Sequence, residues 1–178
     1  RQERFPGVPD TTYVSDIVAS QHDANVVYAA FNNHKNGDFK PYLVRSADRG
    51  RTWTAIASNL PENGPTWVLA EDHVDPALLF AGTEFGVFVS KDTGKQWTQL
   101  KGGLPPIPVR DIAIQTREHD LVLGTFGRGF YVLDDYSPLR TATPASLEQA
   151  ALVFPVKKAY GYVPSNPLGM SGKAFQGE

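Results

Sequence analysis

The chain has 178 residues, 41% of them apolar and 20% charged, with 17 Lys+Arg against 19 Asp+Glu for a formal net charge of −2. This is the make-up of an ordinary soluble chain with one core, and it excludes a generic nucleic-acid or anionic-membrane binder, because both need a basic field. No apolar run approaches the ~20 residues of a membrane helix, and the absence of cysteine removes disulfides, thiolate metal sites and a cysteine nucleophile together.

The chain opens on Arg1-Gln2-Glu3-Arg4, without an initiating Met or an apolar signal core. Residues 1–12 therefore read as an N-terminal extension of a mature or excised segment. Sixteen glycines, 14 prolines and 11% aromatic residues suit short strands joined by tight turns, so all-β is the expected class. The single helical candidate lies around Ala145 to Ala151.

Residues 13–62 form a first unit, with strands expected at Val14 to Ala19, Val26 to Phe31, Tyr42 to Ser46 and Thr52 to Ala57. A polar insertion, Asn32 to Pro41, separates its second and third strands. Residues 63–106 repeat the plan with Trp67 to Glu71, Leu78 to Thr83, Val87 to Ser90 and Gln96 to Leu100. Continuous apolarity in Leu78-Leu79-Phe80-Ala81 suits a strand covered on both faces, and alternation in Val87-Phe88-Val89 a strand covered on one. Residues 107–136 supply Val109 to Gln115, Asp120 to Thr125 and Phe130 to Leu133, then lose the pattern at Asp134-Asp135. The fourth strand of this unit is absent or comes from elsewhere, with Leu152 to Val156 or the side of Tyr13 as sources. Residues 137–178 read as a linker, one extended segment (Ala151 to Val156) and a Gly-rich tail from Ser165 that is expected to be poorly ordered.

The units are related by a repeat. Ser46-Ala-Asp48-Arg-Gly50-Arg-Thr52-Trp53 returns 44 residues on as Ser90-Lys-Asp92-Thr-Gly94-Lys-Gln96-Trp97, and Asn59-Leu60-Pro61 returns at the same step as Gly103-Leu104-Pro105. Leu79-Phe80-Ala81-Gly82-Thr83-Glu84-Phe85-Gly86 is echoed by Leu121-Val122-Leu123-Gly124-Thr125-Phe126-Gly127, 42 residues on. Such a period matches the ~40–45 residues of a four-stranded propeller blade. The octapeptide makes sense as a hairpin clasp: the Asp accepts backbone N–H bonds, Gly supplies a positive φ, and Trp packs back between sheets. Ser46, Asp48, Gly50, Thr52, Trp53, Ser90, Asp92, Gly94 and Trp97 are accordingly read as structural.

These octapeptides resemble the Asp-box, or BNR repeat, of sialidases, xyloglucanases and sortilin-type propellers. Gly82-Thr83-Glu84-Phe85-Gly86-Val87, the run from Gly124 to Asp135 and the insertion Asn32 to Tyr42 are similar, more narrowly, to the last blades of large bacterial sortilin-like BNR-repeat proteins, over about Tyr13 to Leu139. Gln96 departs from the usual Thr of the box, and the third unit has no intact box. The resemblance implies a partial β-propeller of about three four-stranded blades and an extracytoplasmic, periplasmic or secreted bacterial setting. Members are often labelled glycosyl hydrolases on the strength of the box.

In a propeller the Asn32–Pro41, Glu84–Gly86 and Phe126–Gly129 loops open on the face opposite the boxes, where ligand sites usually lie. Glu84, Phe85, Phe126, Arg128 and His34 are therefore the candidate binding residues. Glu84 and Arg128 read either as part of a polar, aromatic-edged rim for sugar or peptide, or as a surface ion pair of ~0–1 kcal/mol. Asp16 and Asp111 are candidates to face the channel or to make strand-end bonds. A glycosidase needs two carboxylates ~5–5.5 Å or ~6.5–9.5 Å apart; no such set stands out, and no catalytic residue is assigned. His22, His73 and His119 recur at one turn of each unit beside Asp23, Asp72 and Asp120, but successive blades are expected to carry them apart. No metal or cofactor is assigned.

Three units fall short of the ~4–8 blades of a closed propeller and leave open edges. The remaining blades are expected in the same longer chain or in another chain. Three roles follow: a non-catalytic segment giving a protein- or glycan-binding surface or scaffold; part of a glycoside hydrolase with most catalytic residues elsewhere; or an accessory subunit that uses the exposed blade edge for strand addition.

Overall fold

The computed structural model describes residues 5–158, 161, 164–165 and 174–175. Strands β1 (Tyr13–Ala19), β2 (Val27–Asn33), β3 (Asp38–Ser46) and β4 (Thr54–Ala55) form a first antiparallel sheet in chain order. Strands β5 (Thr66–Glu71), β6 (Leu79–Thr83), β7 (Gly86–Ser90) and β8 (Thr98–Gln99) form the second, and β9 (Val109–Gln115), β10 (Asp120–Thr125) and β11 (Phe130–Leu133) the third. Every connection within a sheet is a hairpin, so each unit is a meander with its first strand innermost. The result is an all-β partial propeller of three blades.

Packing explains the patterning. The middle sheet is covered on both sides, and all residues of β6 and β7 are buried, which is why these strands read as unbroken apolar runs. Between the first two sheets Tyr28, Leu43, Ile56 and Leu60 meet Leu69, Leu79, Phe88 and Trp97. Between the second and third, Val68, Leu78, Phe80 and Val87 meet Val109, Ile112, Leu121 and Tyr136. The outer face of the first sheet is covered from the N-terminal side, where Phe5 and Val8 pack on Phe31 and Trp53. The inner strand β1 leaves Tyr13 64% and Ile17 67% exposed, as expected of a strand that borders an axial channel.

The inner strands share an irregularity. Pairing shifts by one residue between Val14 and Asp16 in β1, between Thr66 and Val68 in β5, and opposite Gly124 and Thr125 in β9. Ser15, Trp67 and Arg110 are thus the bulged residues at equivalent points of three successive sheets, and bulges re-aim the side chains that they carry.

The chain divides into two compact units, Arg1–Ala142 and Thr143–Glu178. The first ends in a one-turn helix, α1 (Pro138–Thr141), within the stretch that the sequence suggests is a linker; Pro138 at its start is pre-set for helical φ. In the second unit the helical candidate reduces to one turn, α2 (Pro144–Leu147), too short for the expected Ala145 to Ala151. Residues 151–158 have no regular structure, with Val153 and Val156 each 87% exposed, and Pro164–Ser165 pairs with Ala174–Phe175. The remainder of the tail from Ser165, expected to be poorly ordered, lies outside the described residues. Among the described residues no helix is long and apolar enough to cross a membrane.

Candidate functional site

The two octapeptide turns close as the sequence suggests. In the first, Asp48 accepts from Thr52 N (2.8 Å), Thr52 Oγ1 (2.7 Å) and Ser46 Oγ (2.8 Å), and Gly50 N donates to Ser46 Oγ (2.8 Å). These donors hold the Asp48 carboxyl at about 2. In the second, Asp92 accepts from Gln96 N, Lys95 N and Ser90 Oγ, so the Gln96 departure costs only the hydroxyl bond. Arg49 and Thr93 adopt φ near +60° and Gly50 and Gly94 φ of 81° and 89°. The Asp48 and Asp92 carboxylates and the Ser46 and Ser90 hydroxyls are committed within their own turns, while Arg49, Thr93 and Trp97 bond to neighbouring segments, so the turns act as fastenings.

On the face opposite these turns three loops converge. The β2–β3 loop carries a 3-10 turn, His34–Asn36, and places the His34 ring edge-on to Trp67 at 5.3 Å; His34 Nδ1 donates to Asn32 Oδ1 at 2.6 Å. The β6–β7 loop is pinned by Glu84 N donating to Pro65 O, and its β10–β11 counterpart by Phe126 N donating to Pro108 O. Trp67 and Arg110, the two bulge residues, then stack: the guanidinium carbon lies 3.3 Å from the centre of the Trp67 ring and 5.3 Å from that of Phe126. Glu84 ties both together, accepting from Trp67 Nε1 at 3.0 Å and approaching Arg110 Nη2 at 3.5 Å. A guanidinium over an indole contributes ~0.5–2 kcal/mol according to how far it is desolvated. The stack also holds the plane of the fork fixed while the Arg110 side chain stays 36% exposed.

Of the sequence-derived candidates, Glu84, Phe126 and His34 come together around this stack. Arg128 does not. The ion partner of Glu84 is Arg110, because Phe126 rather than Arg128 is the positional counterpart of Glu84, and Arg128 sits further out between two left-handed glycines, Gly127 and Gly129. Phe85 is 42% exposed and packs beside Gly64. Trp67 and Arg110 were legible in the sequence only as the first residue of one expected inner strand and the second of another; their shared place in the repeat, ahead of Val68 and Asp111, was the available signal.

Asp16 and Asp111 bond to backbone within the inner strands rather than at strand ends: Asp16 Oδ2 accepts from Leu69 N at 3.0 Å, joining the first two sheets, and Asp111 Oδ1 from Ile112 N at 2.9 Å. Burial raises the Asp16 carboxyl, and the Asp111 charge adds to this against the backbone donors.

The histidine turns behave differently from expectation. His73 and His119 stack at 5.1 Å with Nε2 and Nδ1 3.1 Å apart, and His22 Nε2 donates to Asp72 O at 2.7 Å. These hairpins join the innermost strands and so lie nearest the axis, where blades are closest. The rings join a network centred on Asp72, with Tyr136 and Arg140. Among the described residues no group of three or more potential ligands is placed to hold a metal.

No family model matches the sequence, and no curated protein matches it. Solved structures do resemble the fold. The Niastella koreensis GH74 enzyme is 21% identical over 71% of this chain and 22% of its own, with a TM-score of 0.57. YCF48 bound to D1 peptide is 14% identical over 75% of this chain and 40% of its own, TM-score 0.52. The extracellular domain of BT4673 from B. thetaiotaomicron is 20% identical over 77% of this chain and 17% of its own, TM-score 0.55. This chain therefore corresponds to well under half the length of each, and what it shares with them is the propeller fold.

Proposed function

We propose that the chain is a non-catalytic, extracytoplasmic segment of a larger bacterial propeller built on Asp-box turns of the sortilin-like type, and that it binds a protein ligand on the loop face around Arg110. The stacking of Arg110 on Trp67 carries this reading. Sugar recognition favours a bare aromatic face, and the guanidinium covers the one that Trp67 turns towards it. What the stack offers instead is a fixed Arg fork flanked by Phe126, 69% exposed, a mixture of Arg and aromatic anchors typical of protein hot spots. Glu84 is engaged by Trp67 and Arg110, and so is poorly free to act as an acid or base. The peptide-bound neighbour YCF48 supports the same direction.

The test is selection of peptides from a random phage-displayed library on the full chain. Binders should lose at least ~100-fold in affinity, about 2.7 kcal/mol, on Arg110→Ala or Phe126→Ala. Peptides that bind these variants unchanged would overturn the reading.

One observation favours the alternative of a glycoside hydrolase fragment. Burial raises the Asp16 carboxyl, with a smaller contribution from the Asp111 charge, so two carboxylates sit within electrostatic reach of each other on the inner strands, and GH74 enzymes stand among the neighbours. Turnover of aryl glycosides that is abolished by Asp16→Asn would establish it in place of the binding role.

A further inference from the structure

The slot that Trp97 fills between the first two sheets has a counterpart between the second and third that is only partly filled, by Leu139 of α1. Trp97 is 4% exposed, packs with Ile56, Leu60, Leu79, Ala81 and Phe88, and donates from Nε1 to Ile56 O at 2.7 Å. Forty-four residues beyond Ile56 and Leu60 stand Leu100 and Leu104. Leu121, Leu123 and Tyr131 match Leu79, Ala81 and Phe88, since Leu123 faces Tyr131 across the β10–β11 ladder as Ala81 faces Phe88 across β6–β7. Those five residues, together with Leu133 and Leu139, line an apolar cleft that keeps a volume of about 380 Å³ beside the Leu139 side chain.

Beside the cleft runs β11, which pairs only with β10 among the described residues. Its Phe130 is 81% and its Val132 60% exposed. The chain does not continue into a clasp here. Leu133 occupies the place of Ser90, each facing the first leucine of the preceding strand, and without that hydroxyl the chain passes through Tyr136 into α1.

We infer that the open edge of β11 accepts an extended strand from outside this sequence, and that a bulky aromatic side chain on that strand, tryptophan best of all, inserts between Leu100, Leu104, Leu121, Leu123 and Tyr131. The edge supplies backbone donors and acceptors, and the cleft supplies specificity, as in other strand-addition sites. Leu100 O is the counterpart of the carbonyl that receives the Trp97 indole. The inference rests on the repeat and the cleft, and stands apart from the binding role of the opposite loops.

The test uses the full chain and a synthetic peptide with the sequence of Lys95–Lys101, Lys-Gln-Trp-Thr-Gln-Leu-Lys, which carries the strand that fills the equivalent slot. Hydrogen exchange of the Phe130–Leu133 amides should slow about tenfold at saturating peptide. The same peptide with Ala for Trp should have no such effect, nor should the original peptide on Leu104→Arg, each chain being compared with its own peptide-free exchange under conditions where it is folded. Unchanged exchange at saturation overturns the inference. So does full protection of β11 in the chain alone, which would mean that the strand is supplied from within, or, where protection vanishes on dilution, by a second copy.

Discussion

Asp72 and Arg140 are joined by two parallel hydrogen bonds, Nε to Oδ2 and Nη2 to Oδ1, each 2.8 Å long. The Asp72 side chain is fully buried and the Arg140 side chain 14% exposed, and the pair ties α1 to the end of β5 in the middle sheet. Asp72 also accepts from Tyr136 Oη and from Val74 N and Asp75 N, so every lone pair of this buried carboxylate is used. Burial alone would raise its pKa; Arg140, Tyr136 and the Asp75 amide outweigh burial and hold it well below the usual range.

Removing Arg140 strands that charge in the core. Arg140→Ala is expected to lower stability by ~3–5 kcal/mol, measured by urea denaturation. Arg140→Lys should recover only a minor part, because an ammonium cannot reproduce the two-point fork. A Lys variant as stable as the parent would show that charge alone, without the fork, holds α1.

The same network makes stability depend on pH. Burial depresses His73, and the charges of Arg140 and His119 add to this against Asp72. A group with a lowered folded pKa binds fewer protons when folded than when unfolded, so its contribution is present above the unfolded value of about 6.5 and is lost as pH falls below it. The chain is expected to lose stability between pH 7 and 5, well before its carboxylates protonate. His73→Asn should flatten this part of the urea-midpoint profile, and a profile unaltered by that change would place the titration elsewhere.

The two clasp tryptophans, alike in sequence, should differ in consequence. Trp97 is 4% exposed, with its indole N–H on Ile56 O in the neighbouring sheet; Trp53 is only partly buried and bonds within its own turn, to Gly50 O at 3.1 Å. Trp97→Ala is expected to cost ~3–5 kcal/mol as a large core deletion, and Trp53→Ala clearly less, by thermal or urea unfolding. Trp97→Phe keeps most of the volume but leaves a buried carbonyl unpaired, for ~1–3 kcal/mol. Equal losses at the two alanine variants would mean that Trp53 is as firmly clamped by Phe5 as Trp97 is by the next sheet.

The repeat made the fold legible because the Ser and Asp bonds of both clasps are local: they stay within Ser46 to Trp53 and Ser90 to Trp97 and follow from spacing. The site was legible in part. Loop position brought Glu84, Phe126 and His34 into view, but Trp67 and Arg110 depend on a one-residue bulge that turns two strand residues towards the loop face, and register shifts leave no local pattern. The Asp72 network was hidden for another reason. Asp72 lies 64 and 68 residues before Tyr136 and Arg140, and α1 has too few residues to show a helical period.

Gly82 shows how closely the inner strands approach. A Cβ there would lie 2.5 Å from Val68 Cγ1 and 2.7 Å from Val109 O, between the very residues that flank the bulges at Trp67 and Arg110. Relief would require β5 or β9 to move, since one obstacle is backbone. At the repeat-equivalent Gly124 the nearest atom is Asp111 Cβ at 3.2 Å, a gap that a few tenths of an ångström of movement would open. Gly82→Ala is therefore expected to cost at least the ~1–3 kcal/mol of ordinary overpacking, and Gly124→Ala under ~1.5 kcal/mol. Because the spacing of β5 and β9 also sets the 3.3 Å stack of Arg110 on Trp67, Gly82→Ala should shift the Trp67 emission maximum under conditions where the chain is still folded. A Gly82→Ala variant with unchanged emission and stability would mean that the two inner strands can separate without disturbing the site they carry.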